Sequence, residues 1–401
     1  MKALYFENKL AKIAALKAAS VFSRDAAFAP FSPLRYAEVD EPSPPNARWL
    51  KVRNLSCGLC GTDLHLMLME MDPRCFPAAT PGIARKFLGH ELVGEVVELG
   101  AEVEGLALGD RVTLAVDWPS CLQMEIDPPC RSCARGSYML CENLGRRALP
   151  LRDTGGGFSP FMVMHRTQPY KVPPQLSHER ALLIEPLAGA VHGVMKRKPR
   201  AGEKALVIGA GTIGLLAVAA AKAFSPQTEV HCLARYPFQA EAAERLGADS
   251  IVMDGKDVYP RIAKLTGAAY HRGHFGNEIM LGGYDVIYDT VGNDHSLRDA
   301  LRWVRAQGDV VLLGINFQPG KIDYTPIWHQ EVKVTGINCH ATEEGGKTSF
   351  DMATQILGET KAPVESLITH RFPMARFREA VQAFRNKGQS HAIKIVLDHP
   401  R

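Results

Sequence analysis

The chain has 401 residues, a net charge of +4, 46% hydrophobic residues and 22% charged ones. That is enough for two ordinary domains with full cores, and too apolar for a disordered chain. So small a net charge excludes a nucleic-acid footprint, and no apolar run approaches the ~18 residues of a membrane span; neither nucleic acid nor membrane is expected as a partner.

The start, "MKALYFENKLAKIAALKAAS", lacks the order of a signal peptide, so a cytoplasmic location is expected. There the nine cysteines point to metal or catalysis rather than disulfides. The basic run Lys196 to Arg200 reads as a solvated linker.

Along the chain, the first half reads as short strands broken by Gly and Pro, clearest in "RWLKVRNLS" and "ELVGEVVELG". The pattern then changes. "KALVIGAGTIGLLAVAAAKAF" is a buried strand, a glycine turn and an apolar helix. "EVHCLAR" is a strand followed by the helix "PFQAEAAERLGA". "YDVIYDTVGN", "DVVLLGIN" and "VKVTGIN" supply further apolar strands. Strands alternating with helices predict an α/β fold with a doubly wound parallel sheet. The end, "FREAVQAFRNKGQSHAIKIVLD", adds a helix and a strand that return to the first domain. The expected division is 1–187, 188–338 and a returning 339–401.

"GAGTIG" sets Gly209, Gly211 and Gly214 in G-x-G-x-x-G spacing between a strand and a helix. Gly209 permits the turn, Gly211 lets a pyrophosphate approach the backbone, and Gly214 lets helix and strand pack. The competing reading is a purely structural glycine turn.

Metal-ligand types gather in four places. "SCGLCGTDLH" holds Cys57 and Cys60, a pair that alone could be a redox dithiol or part of a zinc site. "FLGHELVGEVVELG" adds His90 and Glu91, which alone could be a surface pair; with Cys60 they offer the S, N and O donors that suit zinc. Glu185 in "LLIEPLAGAVHG" is a carboxylate in apolar company, which needs a partner. Cys121, Cys130, Cys133 and Cys141 read as a closed four-thiolate zinc site, the alternative being small buried residues.

Together "CGLCGTDLH", "GHELVGEVVELG", "GDRV", the cysteine loop, "GGGFSPFMV", "EPLAGAVHG", "GAGTIG" and "VVLLGI" resemble, in order, the zinc-dependent medium-chain alcohol dehydrogenases, especially the threonine, sorbitol and glucose dehydrogenase branch. The resemblance implies a GroES-like, β-rich catalytic domain before a Rossmann domain. It implies a catalytic Zn2+ on Cys60, His90 and Glu91, with Glu185 as a fourth, exchangeable ligand, and a structural Zn2+ on the cysteine loop. Thr62 and His65 match the proton-relay pair, and Cys57 becomes a buried neighbour. Expected cofactor contacts are Gly209, Gly211, Ile213, Gly214, Ala234, Arg235, Leu313, Gly314, Ile315, Ile337 and Asn338.

The acid that reads the adenosine ribose usually stands ~20 residues after the fingerprint. Ala234 holds that place and Arg235 follows, so NADP(H) is expected over NAD(H). The expected reaction is hydride transfer between a secondary alcohol or polyol and its ketone or aldehyde, in a homodimer or homotetramer. A lyase or epimerase using transient oxidation, and a non-catalytic nucleotide-binding protein, are the alternatives.

Three stretches depart from the family pattern: extra N-terminal residues ("KLAKIAALKAASVFSRDAAF", expected to be helical), the segment from Leu66 to Phe87, and "LQMEIDPP" within the cysteine loop.

Overall fold

The computed structural model describes residues 1–23, 25–76, 84–116, 119–144, 153–343 and 345–400. Two compact units emerge, Met1–Glu185 with Ile368–Arg401, and Pro186–Leu367. The chain rejoins the first unit at Ile368 rather than at 339, because the helix Ser349–Glu359 packs on the helix Thr212–Phe224 inside the second unit.

The first unit is built on a seven-stranded sheet. Its long central strand, Trp49–Gly58, pairs antiparallel with Glu91–Leu99, with Phe161–His165 and with the C-terminal strand Lys394–Asp398. Alternating apolar side chains (Leu50, Val52, Leu92, Val96, Ile395 and Leu397) meet in one core beneath it. A three-stranded sheet, Lys2–Glu7 between Leu34–Glu38 and Arg85–Phe87, lies beside it in the sequence of the same unit. The extra N-terminal residues form the helix Leu10–Ser20, as expected.

The second unit holds a six-stranded, all-parallel sheet in the order Ser250–Met253, Glu229–Ala234, Lys204–Ile208, Tyr284–Asp289, Val304–Leu312, Lys333–Gly336. This is the doubly wound dinucleotide-binding order. The helix Thr212–Phe224 is apolar all round and is buried from Gly214 to Ala221, as such a helix must be. A hairpin, Ala269–Arg272 with Glu278–Leu281, extends from this unit. Among the described residues no helix is long and apolar enough to cross a membrane.

Candidate active site and metal centres

Strand register assembles the first centre. Gly58 lies opposite Glu91 in the ladder, so Cys60, two residues on, arrives beside His90 and Glu91. One ligand atom from each of the three lies within 4.8 Å of the others. Gly58 is glycine for a local reason: a Cβ there would stand 2.3 Å from Glu91 Oε2.

Cys60 caps the helix Gly61–Met67, and Asp63 reaches back, its Oδ2 accepting from Cys60 N at 3.3 Å. Asp63 Oδ1 accepts from Gly89 N at 3.0 Å and lies 3.8 Å from His90 Nδ1. One buried carboxylate thereby ties the cysteine's helix to the histidine's strand. Burial raises the pKa of Asp63, opposed by His90 and by the Gly89 amide.

Glu91 is paired with Lys394 of the C-terminal strand, both only 2% exposed. Burial works against the Lys394 ammonium, but Glu91, Cys60 and Glu185 outweigh it and hold its pKa above the usual lysine range. His90 behaves alike: burial disfavours its imidazolium, yet Asp63, Cys60 and Glu185 push its pKa well above the ordinary histidine value. The donors thus create a demand for positive charge at their centre. A divalent cation meets it, and the mixed thiolate, imidazole and carboxylate set is one that zinc accepts.

Glu185 stands near enough for its charge to bear on His90, Lys394 and Cys57, but outside the three-ligand set. Cys57 is wholly buried, and burial pushes its thiol well above the usual range. Thr62 Oγ1 is buried with no hydrogen-bond partner among the described groups. An orphaned buried hydroxyl is costly unless a ligand completes it. His65 is one-third exposed, with Nδ1 2.8 Å from Glu70 Oε2.

The second centre is the cysteine loop. One Sγ from each of Cys121, Cys130, Cys133 and Cys141 lies within 4.8 Å of the others, and all four are free of disulfides. Cys121 and Cys141 Sγ are 3.7 Å apart. A tetrahedral zinc with ~2.3 Å bonds holds its sulfurs about 3.8 Å apart, so the set fits zinc. Amides are aimed at the sulfurs: Cys130 N at Cys121 (3.3 Å), Cys133 N and Glu142 N at Cys130 (3.5 and 3.4 Å). Against the burial that opposes it, those last two amides bring the Cys130 thiol down to about 6.

In the second unit, Gly209 has φ 95°, and a Cβ on Gly214 would lie 1.7 Å from Gly209 O. Protein packing explains both glycines. Gly211 differs: a Cβ there would meet nothing within 4 Å. It precedes the helix Thr212–Phe224, whose amino end has no side-chain cap. Space above bare helix amides is what a pyrophosphate needs. Ile213 lies in that helix's first turn. Leu313, Gly314 and Ile315 follow the strand ending at Leu312, and Ile337 and Asn338 follow the one ending at Gly336, so all gather at carboxyl ends of the parallel strands. Ala234 ends its own strand and is buried, while Arg235 is exposed and stacks on Tyr236 at 5.6 Å.

Three residues at the first centre escape a reading of the sequence. Asp63 had a signal, the cap-box spacing from Cys60. Lys394 and Glu70 had none, since strand pairing and a turn bring them in.

A metal-type centre in a β-rich unit and a dinucleotide turn in a parallel-sheet unit define an oxidoreductase of two cofactors. Comparison with known proteins agrees. Residues 46–174 match the alcohol dehydrogenase GroES-like domain and residues 212–355 the zinc-binding dehydrogenase domain. The (R,R)-butanediol dehydrogenase of Bacillus subtilis is 33% identical over 84% of this chain and 89% of its own length. The crystal structure of 2R,3R-butanediol dehydrogenase from Bacillus subtilis superposes with a TM-score of 0.74 at 27% identity, covering 100% of this chain and 99% of that one. A Sinorhizobium meliloti 1021 protein described as a zinc-binding dehydrogenase and bound to NADP gives 0.71 at 26% identity, covering 99% and 98%. The chain belongs to the zinc-dependent medium-chain alcohol dehydrogenases. It is an alcohol or polyol dehydrogenase, using zinc and a nicotinamide nucleotide.

Proposed function

We propose that Cys60, His90 and Glu91 hold the catalytic zinc with Glu185 as exchangeable fourth ligand, that the four loop cysteines hold a structural zinc, and that the enzyme oxidises small secondary alcohols or polyols with NADP(H) preferred. The observation that carries the reading is the three-ligand cluster beside the orphaned Thr62 hydroxyl. When bound, zinc polarises the substrate hydroxyl and the nicotinamide exchanges the hydride. The protein does the rest. Asp63 orients His90, and Lys394 balances Glu91. Thr62 Oγ1 is free to take the substrate's proton, and His65, part-exposed, to hand it to solvent. The dehydrogenase names of the relatives disfavour the lyase and the non-catalytic readings.

The test is turnover of a panel of secondary alcohols, vicinal diols and polyols by zinc-loaded protein. Cys60→Ser is expected to abolish it, while Cys57→Ser keeps most of it. Equal loss in folded, zinc-loaded variants overturns the ligand assignment.

Cofactor preference rests on Arg235, exposed at a strand's carboxyl end with no acid at Ala234. A charge-assisted contact to a 2′-phosphate is worth about 1.5–3 kcal/mol, or roughly tenfold to hundredfold in affinity. Arg235→Ala is therefore expected to weaken NADPH binding at least tenfold and to leave NADH nearly unchanged, measured by calorimetry. Equal loss of both means that Arg235 stacks on the adenine and reads no phosphate.

A homodimer or homotetramer in the cytoplasm completes the proposal. Supporting self-association, the outer strand Lys333–Gly336 is exposed along its length, with Ile327, Trp328 and Val334 exposed at and before it. Light scattering that finds a monomer overturns it.

A further inference from the structure

The N-terminal helix and the segment after His65, two of the stretches that depart from the family pattern, meet at the end of the helix Gly61–Met67. Glu70 N donates to His65 O at 2.9 Å and Met69 N to Leu66 O at 3.2 Å, with Met69 at φ 51°. These two bonds make a helix-ending cap in which one residue takes the left-handed conformation. Glycine is the usual occupant, since a Cβ there crowds the following carbonyl. Here the side chain is an anchor. Leu68 and Met69 pack on Leu16, Ala26 and Ala27 of the N-terminal extension, and Lys17 Nζ donates to Met71 O. The extension holds the cap, and the cap folds Glu70 back over its own helix, with Oε2 2.8 Å from His65 Nδ1.

We propose that Glu70 is a positioning residue of the proton relay. It accepts from His65 Nδ1–H, fixing the ring's orientation and tautomer, so that the Nε2 lone pair is left to receive the proton. This rests on the reading of Thr62 and His65 as relay. The proton count closes: the alcohol's proton passes to Thr62 Oγ1, Thr62's own proton moves on to His65 Nε2, and Nε2 releases it to water. Thr62 Oγ1 has no partner among the described groups, so a water or hydroxyl bridges the step to His65. The other charged groups at this turn are engaged elsewhere: Lys17 with Met71 O, Asp72 with Arg74 at 2.9 Å, and Asp63 with Gly89 N. Glu70 and His65 side chains are 50% and 34% exposed, so replacing the carboxylate does not empty a core.

The experiment uses the full, zinc-loaded chain with 15N-labelled histidine, the His65 ring signals being assigned by their loss in His65→Asn. Wild type is expected to show the Nδ1-protonated tautomer. Glu70→Gln keeps it, because the amide oxygen accepts the same bond; Glu70→Ala loses it. In parallel, kcat for alcohol oxidation in Glu70→Ala is expected to fall about tenfold, part of the roughly 100- to 10,000-fold that a positioned acid–base group supplies. Alcohol KM and cofactor affinity stay within about twofold, and Glu70→Gln recovers most of kcat. An unchanged tautomer or unchanged kcat in Glu70→Ala overturns the proposal. So does a loss spread equally over kcat, KM and cofactor affinity, which makes Glu70 structural. Full turnover by His65→Asn instead overturns the relay itself, an outcome separable because the tautomer is read without turnover.

Discussion

Lys394 is buried and its ammonium meets Glu91, which is also one of the three clustered donors proposed to hold a metal. Removing one partner of such a pair leaves an uncompensated buried charge, at a cost of about 3–5 kcal/mol. Lys394→Met is therefore expected to lower the unfolding free energy of zinc-free protein, read from urea denaturation, by that much, with Lys394→Arg recovering most of the loss; an unfolding free energy equal to wild type removes the pair from the account of stability. The glycines of the dinucleotide turn make a sharper contrast. Gly214→Ala drives a Cβ into the Gly209 carbonyl and is expected to destabilise the whole unit. Gly211→Ala meets open space, so it should melt like wild type and bind NADPH and NADH more weakly. If Gly211→Ala binds both nucleotides normally, its space is not where the pyrophosphate sits. Such residues are legible to very different degrees. Gly209 and Gly214 announce their roles through fixed local spacing, and Cys60, His90 and Glu91 through donor chemistry within short motifs. Lys394 lies 303 residues from Glu91 in sequence, and a lysine in a C-terminal strand carries no mark of what it will face.

At the scale of elements, the parallel sheet was legible because its inner strands Lys204–Ile208, Glu229–Ala234 and Tyr284–Asp289 are mostly apolar runs, each followed by a turn and a helix, a pattern that burial on both faces imposes. The end of that unit was less so. The helix Ser349–Glu359 has an apolar face that would fit either unit, and its packing on Thr212–Phe224 is a tertiary choice. The cysteine loop is an element of another kind. It has only the short helices Arg131–Ala134 and Tyr138–Leu140, too little regular structure to hold its shape alone. Its order comes from the sulfur cluster and the amides aimed at it. Cys133→Ser is expected to reduce bound zinc from two per chain to one and to lower thermal stability, while the remaining zinc still supports hydride transfer at moderate temperature. Elemental analysis finding two zinc ions in the variant would rule out the four-cysteine site.

Over the whole molecule, burial sets a pH limit. His165 is depressed to about 4, and His231 and His399 are also lowered, in each case chiefly by burial. These histidines are neutral when folded and take up a proton on unfolding at low pH. Their contribution is complete above the unfolded value of about 6.5 and is lost as pH falls towards their folded values. Each steepens the decline by up to about 1.4 kcal/mol per pH unit. Since His231 lies in the second unit and His165 and His399 in the first, both units are expected to weaken. Urea midpoints at pH 7, 6 and 5 that do not fall would contradict the assignment of buried neutral histidines.

The position of Lys394–Asp398 inside the first unit's sheet, one strand in from its edge, bears on how the enzyme is born. This strand pairs with Trp49–Gly58 on one side and Ile368–Pro373 on the other, and it brings Lys394 to Glu91. It also leaves the ribosome after every other strand described in the two units. The inserted unit, Pro186–Leu367, is contiguous and can fold while synthesis continues. The first unit must wait with Ser56–Gly58, the end of its central strand, lacking the C-terminal partner, and with Glu91 lacking its counter-charge. If the loop cysteines hold zinc as proposed, residues 121 to 141 suffice to bind it early, whereas Glu91 meets Lys394 only once residue 394 has emerged. A nascent chain stalled before residue 394 is thus expected to protect the second unit from protease and leave the first one open, a product that binds nucleotide before it can do chemistry.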